Sequence, residues 1–218
     1  MTPPGPADET TQREALVAAA RAMSAADINR GTAGNLSVRL DAAAFLVTPT
    51  GMRYEDLAPR DIVRMTLDGQ WTGAREPSSE WRFHRDLYAT RRDTGAIVHT
   101  HGPFSAALAC HERGIPAFHY LVARAGGRDI RCAPYATFGT QALSDHALAA
   151  LEGRRACLLA HHGAIAVGAT LGAALDLARD VETLAEMYWR TLAIGEPPHL
   201  SDEEMDVVLA KFTTYGQQ

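Results

Sequence analysis

The sequence predicts an α/β fold of the α+β type, in which one mainly antiparallel sheet is flanked by helices. Between residues 36 and 67, short apolar runs follow one another and are separated only by turn residues, which is typical of a meander. Amphipathic stretches long enough for helices lie outside this region. Strands and helices do not alternate regularly, and such alternation would favour a parallel, doubly wound sheet. The pattern therefore favours the mainly antiparallel arrangement.

The N-terminal half begins with a predicted helix that carries an apolar stripe. Thr11-Gln12-Arg13-Glu14 fits a capping box, and Leu16, Ala20, Met23 and Asp27 share one face of a helix to about Ile28. Strands are predicted at residues 36–40, 45–48 and 62–67, and a helix from residue 79 to about 91.

The C-terminal half continues with further strands and the longest predicted helix. Strands are predicted at residues 95–99, 130–132, 156–160 and 164–167, and helices after Pro103, at 140–151, at 171–193 and from a second capping box, 201–204, towards residue 212. Residues 1–8 are polar and proline-rich, so we expect a disordered tail there. Residues 9–218 are long enough for a single domain with its own core.

Composition excludes several classes of partner. The formal net charge is -5 and there is no basic run, which argues against nucleic acid or an anionic membrane. No secretory signal and no transmembrane stretch is apparent, so we expect a cytoplasmic protein. Cys110, Cys132 and Cys157 lack a CxxC spacing, and we expect reduced, buried thiols and not zinc ligands.

Two histidine clusters follow predicted strands. His99 and His101 are spaced by two residues at the end of an apolar run, so both side chains should lie on one face, about 6–7 Å apart along the backbone. His161-His162-Gly163 follows a second apolar run. Together the clusters predict one metal site with three histidine ligands. The alternative is that these are ordinary, partly buried histidines.

Three short segments carry groups that bind phosphate. They are Gly34-Asn35, Thr48-Pro49-Thr50-Gly51 and Pro77-Ser78-Ser79-Glu80. Hydroxyls, a side-chain amide and backbone N–H groups next to glycine can all donate to a phosphate dianion. The common nucleotide loops GxxxxGK[ST] and GxGxxG are absent. Plain turns and helix caps favour the same residue types, so that interpretation stays open.

Taken in order, five motifs resemble those of the class II aldolase/adducin family. They are the segments at residues 31–37, 48–51, 77–80, 99–101 and 161–163. Further stretches at 78–84, 132–140, 200–204 and 211–216 resemble the branch of the family that cleaves L-fuculose 1-phosphate. The resemblance spans residues 14 to 216. Ala160 and His101-Gly102-Pro103 depart locally from that branch and leave the fine shape of the site open.

The resemblance implies a set of functional residues. His99, His101 and His162 would bind one Zn²⁺ per subunit, with His162 chosen because it directly precedes Gly163. Glu80 would both approach the metal and act as the acid/base. Tyr120 would reach the active site of a neighbouring subunit, and Tyr215 would close over the substrate. The implied phosphate pocket consists of Gly34, Asn35, Thr50, Gly51, Ser78 and Ser79.

The resemblance also implies a fold, an assembly and a reaction. The fold is a central, mainly antiparallel sheet flanked by helices, and the assembly is a homotetramer with active sites at subunit interfaces. The reaction is the reversible cleavage of a ketose 1-phosphate, such as L-fuculose 1-phosphate, to dihydroxyacetone phosphate and L-lactaldehyde. No lysine stands out as a Schiff-base former, which favours a metal as the electron sink. Phe138 and Tyr215 are expected beside the aldehyde.

Other outcomes within the family stay open. A sugar-phosphate 4-epimerase would use the same metal, but that branch carries an aspartate where Glu80 stands. A dehydratase acting on a methylthio-pentulose phosphate is another alternative. A non-catalytic, adducin-like interaction domain is disfavoured because every ligand position is filled. Manganese or cobalt could also occupy a site of three histidines.

Overall fold

One eight-stranded sheet forms the centre of the computed structural model, which describes residues 8–214. Its strand order is β4-β3-β2-β1-β5-β8-β7-β6. The strands are β1 Asn35–Arg39, β2 Ala44–Val47, β3 Val63–Thr66, β4 Trp71–Thr72, β5 Ala96–Thr100, β6 Arg131–Ala133, β7 Ala156–Leu159 and β8 Gly163–Gly168. Neighbouring strands are antiparallel except β6 and β7, which are parallel. The mainly antiparallel sheet flanked by helices is therefore confirmed.

Helices cover both faces of this sheet. They are α1 Glu9–Ala25, α2 Trp81–Thr90, α3 Pro103–Cys110, α4 Gln141–Ala150, α5 Leu171–Leu192 and α6 Asp202–Phe212. Side chains alternate across β5, so Ala96 and Val98 join one core cluster while Ile97 joins the other. The first cluster contains buried residues of α1 and α5, and the second contains those of α2 and α4.

The first helix differs from its sequence-based prediction at both ends. It begins at Glu9, so the expected capping box at residues 11–14 lies inside the helix and is wrong. It ends at Ala25 because Asp27 adopts a left-handed conformation with φ of 57°. Ile28 is buried beyond the helix end, which explains why the apolar periodicity overran. At α6 the predicted N-cap is confirmed, since Glu204 N donates to Ser201 Oγ at 3.2 Å, which is one of the two hydrogen bonds of a capping box.

Other expectations have mixed outcomes. The two-residue strand β4 and the 3-10 helices Pro59–Asp61 and Tyr120–Ala125 were not predicted, because segments this short carry little periodicity.

Cys157 is buried, whereas Cys110, the last residue of α3, is exposed. The expected burial of all three thiols is therefore wrong. Of the tail expected at residues 1–8, only Asp8 is described, and it precedes α1.

Within residues 8–214, none of the helices combines the length and apolar character that crossing a bilayer requires.

Candidate metal and substrate site

The expected histidine ligands meet at the ends of neighbouring strands. His99 lies in β5, paired with Asn35 of β1 on one side and Ile165 of β8 on the other. His101 follows the end of β5, and its Nε2 lies 2.8 Å from Nε2 of His99, so the shared face predicted from the spacing of two is confirmed. His162 lies in the turn between β7 and β8.

Gly163 allows this turn to approach β5 closely. A Cβ at position 163 would lie 2.2 Å from the carbonyl oxygen of Thr100, so only glycine fits there. His162, immediately before it, is thereby brought against His101 and His99, with ring centroids 4.8 Å from each. The adjacent His161 has a φ of 55° and its Nε2 lies 3.3 Å from Glu112 Oε1, away from the cluster.

Glu80 completes a four-residue cluster with the histidines. One ligand atom from each of Glu80, His99, His101 and His162 lies within 4.8 Å of the others. Oε2 of Glu80 is 3.2 Å from His99 Nε2, and Oε1 is 3.2 Å from His162 Nε2. The carboxylate enters from the start of α2, where Glu80 is the N-cap residue.

Hydrogen bonds and burial favour neutral imidazoles. His99 Nδ1 lies 2.9 Å from the carbonyl oxygen of Ala164, which can only accept, so the proton resides on Nδ1 and Nε2 offers a lone pair to the cluster. Burial lowers the pKa of His101 to about 3 and that of His162 to about 4. Burial alone would raise the pKa of Glu80, but the hydrogen bond that Asn35 Nδ2 donates to Oε2 favours the ionised carboxylate.

This donor set fits a divalent cation. Oε1 of Glu80 is buried and has no hydrogen-bond partner among the described residues, although it faces His162. A carboxylate and three neutral imidazoles together present acceptors without matching donors, and a metal ion satisfies them. Three histidine nitrogens and one carboxylate oxygen are ligands that zinc accepts.

A cavity of about 300 Å³ opens beside the cluster. Glu80, His101 and His162 line it, and every residue of the expected phosphate pocket lines it as well: Gly34, Asn35, Thr50, Gly51, Ser78 and Ser79. Gly34 has a φ of 68°, and a Cβ there would lie 2.6 Å from the carbonyl oxygen of His99. The phosphate-type loops and the metal-type cluster therefore share one cavity.

The outer wall of this cavity has a different composition. It consists of Tyr135, Ala136, Phe138 and His161. Phe138 is 65% exposed and Tyr135 is 56% exposed. Tyr135 contacts the His161 ring edge to face, with centroids 5.8 Å apart. Phe138 was expected from the sequence beside the aldehyde, and it does line the cavity.

Of the two expected tyrosines, only Tyr120 lies among the described residues, and it is not part of this cluster. In the described part of the chain, Tyr120 does not line the cavity; it is half exposed and stacks on Phe212, with ring centroids 6.4 Å apart. The expectation for Tyr215 lies outside the described residues.

A buried chain of hydrogen-bonded side chains lies below the cluster and was not predicted from the sequence. It connects Tyr88, Ser37, His84 and Asn35 to Glu80. The available signal was the spacing of His84 from Glu80, since residues four apart lie on the same helix face. That signal was weak, because an isolated histidine in an amphipathic helix is usually an ordinary packing residue.

Comparisons with known proteins show which family the chain belongs to. A sequence profile described as the Class II Aldolase and Adducin N-terminal domain matches residues 14–189. The chain belongs to the class II aldolase and adducin family. A Rhodospirillum rubrum protein named 5-methylthioribulose-1-phosphate/5-deoxyribulose-1-phosphate aldolase is 59% identical over 97% of this chain and 95% of its own.

Further relatives carry a related name. L-fuculose phosphate aldolase of Escherichia coli K12 is 51% identical over 89% of this chain and 90% of its own. A solved structure of an L-fuculose 1-phosphate aldolase superposes with a TM-score of 0.89 at 40% identity, covering 92% of this chain and 95% of that one. Class II aldolases of this family act on phosphorylated sugars and depend on a metal. The resemblance identified from five motifs is therefore confirmed.

Proposed function

We propose that this chain is a class II aldolase that reversibly cleaves the C3–C4 bond of a ketose 1-phosphate to dihydroxyacetone phosphate and a short aldehyde. The observation that supports this most directly is the single cavity that contains both the phosphate-type loops and the Glu80–histidine cluster. A phosphate held by the loops would place the adjoining carbonyl and C3 towards the cluster.

The proposed substrates end in a deoxy or methylthio carbon. The names of the relatives point to 5-deoxyribulose 1-phosphate, 5-methylthioribulose 1-phosphate and L-fuculose 1-phosphate. Their aldehyde products would be acetaldehyde, methylthioacetaldehyde and L-lactaldehyde. The Rhodospirillum rubrum relative is 59% identical over 97% of the chain, and the Escherichia coli K12 relative is 51% identical over 89%. The higher identity favours the two ribulose phosphates over the L-fuculose 1-phosphate suggested by the sequence motifs.

The metal in this proposal is one Zn²⁺ per subunit, held by His99, His101, His162 and Glu80. When bound, it supplies Lewis-acid stabilisation of the negative charge that develops as the C3–C4 bond breaks. Glu80 then carries the proton at C3, because its carboxylate is the only acidic group that lines the cavity among the described residues.

Other residues bind and enclose the substrate in this proposal. Asn35, Thr50, Ser78 and Ser79 donate side-chain hydrogen bonds to the phosphate, and backbone N–H groups at Gly34 and Gly51 supplement them. The half-exposed position of Tyr120 outside its own cavity is compatible with service in a neighbouring subunit's site, as in a homotetramer. Tyr215 would close the same site. A cytoplasmic location follows from such metabolic substrates.

The test is direct product analysis with the purified protein. Each of the three ketose phosphates is incubated with enzyme, and dihydroxyacetone phosphate is measured with an NADH-coupled dehydrogenase. We expect release that a chelator abolishes and added zinc restores. Unphosphorylated L-fuculose, whose cleavage would yield dihydroxyacetone and L-lactaldehyde and is followed by chromatography, serves as a control for the phosphate loops and should react far more slowly. Epimerisation, or loss of water without dihydroxyacetone phosphate, would overturn the proposal in favour of the other branches.

A further inference from the structure

The buried chain below the cluster has only one consistent hydrogen-bond direction. Asn35 Nδ2 lies 2.9 Å from Glu80 Oε2, and since an ionised carboxylate only accepts, the amide nitrogen donates. The other side of that amide, Oδ1, is therefore an acceptor, and it lies 2.5 Å from His84 Nε2. His84 must consequently carry its proton on Nε2.

The same reasoning continues away from the cavity. Burial lowers the pKa of His84 to about 3, so the ring is neutral near pH 7 and Nδ1 is an acceptor. Ser37 Oγ, 2.7 Å away, donates to Nδ1 and in turn accepts from the hydroxyl of Tyr88 at 2.8 Å. Every donor in the chain thus points towards Glu80, an alignment in which successive hydrogen bonds strengthen one another.

All members of the chain are held rigidly. Ser37 and His84 are fully buried, and Asn35 and Tyr88 are at most 2% exposed. Ser37 and Asn35 are two apart in β1, so their side chains lie on the same face of the sheet, below α2. His84 lies between them on α2, with no water-exposed edge through which a different hydrogen-bond pattern could form.

We propose that His84 is a positioning residue that fixes the orientation of the Asn35 amide and, through it, the Glu80 carboxylate. This inference rests on the proposed function, in which Glu80 gains and loses a proton. An Asn35 amide rotated by 180° would place Oδ1 against the Glu80 carboxylate and turn the N–H groups away from the carboxylate and the cavity. The Nε2–H of His84 occupies Oδ1 and prevents that flip.

Two substitutions at His84 separate its two hydrogen bonds. His84→Gln places an amide nitrogen near the Nε2 position and keeps the donor to Asn35. His84→Asn places an amide oxygen near the Nδ1 position and keeps the acceptor for Ser37, but has nothing at Nε2. Both variants enlarge the space in the core, so each serves as the packing control for the other.

We expect kcat of the zinc-loaded His84→Asn enzyme to fall about 10- to 100-fold, the effect of losing a hydrogen bond that orients a charged group. His84→Gln should stay within about fivefold of the wild type on the same grounds. Zinc content, measured by mass spectrometry, should be equal in all three proteins. Equal kcat values for the two folded variants would overturn the proposal.

A spectroscopic readout tests the inference without activity. Long-range ¹H–¹⁵N correlation spectra of the zinc-loaded wild type should show His84 as the neutral Nε2–H tautomer. The Nδ1–H tautomer would overturn the proposal, also in the case that either variant fails to fold. If the wild type releases no dihydroxyacetone phosphate, the proposed function fails, while the tautomer still decides the orientation of Asn35.

Discussion

The two walls of the cavity differ in burial and in how they are built. The inner wall includes Glu80, which is 6% exposed and positioned by the start of α2, and behind it lies the fully buried His99 of β5. The outer wall, with Tyr135 and Phe138, is more than half exposed and lies in the segment between β6 and α4. A rigid inner wall suits chemistry that is common to the family, whereas an exposed outer wall can vary with the aldehyde.

Neighbouring histidines show the same contrast within one turn. His162 faces the cluster and has a side chain only 11% exposed, while that of His161 is 48% exposed and faces Glu112 and Tyr135. Adjacent residues thus belong to opposite walls, because the left-handed conformation at His161 turns the chain between them.

The largest expected effect comes from removing a metal ligand of the inner wall. His162→Ala should lose bound zinc and all measurable aldolase activity, because three ligands remain and one of them is the carboxylate needed for proton transfer. The matched control is His161→Ala, which should keep the zinc content of the wild type. Equal zinc binding by both variants would show that His162 is not a ligand.

The second prediction concerns the acid/base group. Glu80→Gln keeps the size of the side chain but cannot exchange a proton, so kcat should fall about 10²- to 10⁴-fold. Zinc should be retained by the three histidines, and metal analysis checks this. Glu76→Gln, at an exposed position nearby, is the control and should match the wild type. Near-normal turnover of Glu80→Gln would assign the proton transfer to another group.

The third prediction concerns the acid sensitivity of the buried hydrogen-bonded chain below the cluster. The folded pKa of His84 is about 3, below its ordinary 6.5, so stability is full above about pH 6.5 and falls as the unfolded chain takes up a proton at lower pH. Between pH 7.5 and 5, His84 should account for about 2 kcal/mol of lost unfolding free energy. His101 and His162 in the metal-free protein shift in the same direction.

Urea unfolding of metal-free protein at the two pH values measures this loss. His84→Gln should show a smaller loss than the wild type, because it removes one of the three titrating groups. An identical pH dependence in the two proteins would mean that folding does not lower the pKa of His84.

The parts of the site that follow from local periodicity were predictable from the sequence. The spacing of two between His99 and His101 in an apolar strand was sufficient to place both rings on one face. The motif order then placed Glu80 and the phosphate loops in the same site by resemblance. What joins them physically is the antiparallel pairing of β1 with β5, which puts Asn35 beside His99.

Long-range contacts explain what could not be predicted. Ser37 and His84 are 47 positions apart in the sequence, and nothing local to either residue indicates their hydrogen bond. The end of α1 was misplaced for a related reason. Ile28 fits the apolar periodicity of the helix, but it lies beyond the helix end and is buried by tertiary packing.

The smallest expected effect belongs to the outer wall. Phe138→Ala should change the unfolding free energy by less than about 0.5 kcal/mol, because the side chain is 65% exposed. It should reduce kcat/KM for 5-methylthioribulose 1-phosphate more than for 5-deoxyribulose 1-phosphate, by roughly three- to tenfold, because the larger end group loses more apolar contact.

Competition between the two substrates in one reaction measures that ratio without depending on enzyme concentration. Ile194→Ala, at a 96% exposed position outside the cavity lining, is the control and should leave the ratio as it is. An equal loss for both substrates would show that Phe138 shapes the cavity as a whole. A changed ratio would locate aldehyde selectivity on the exposed wall, separate from the buried residues that carry out the reaction.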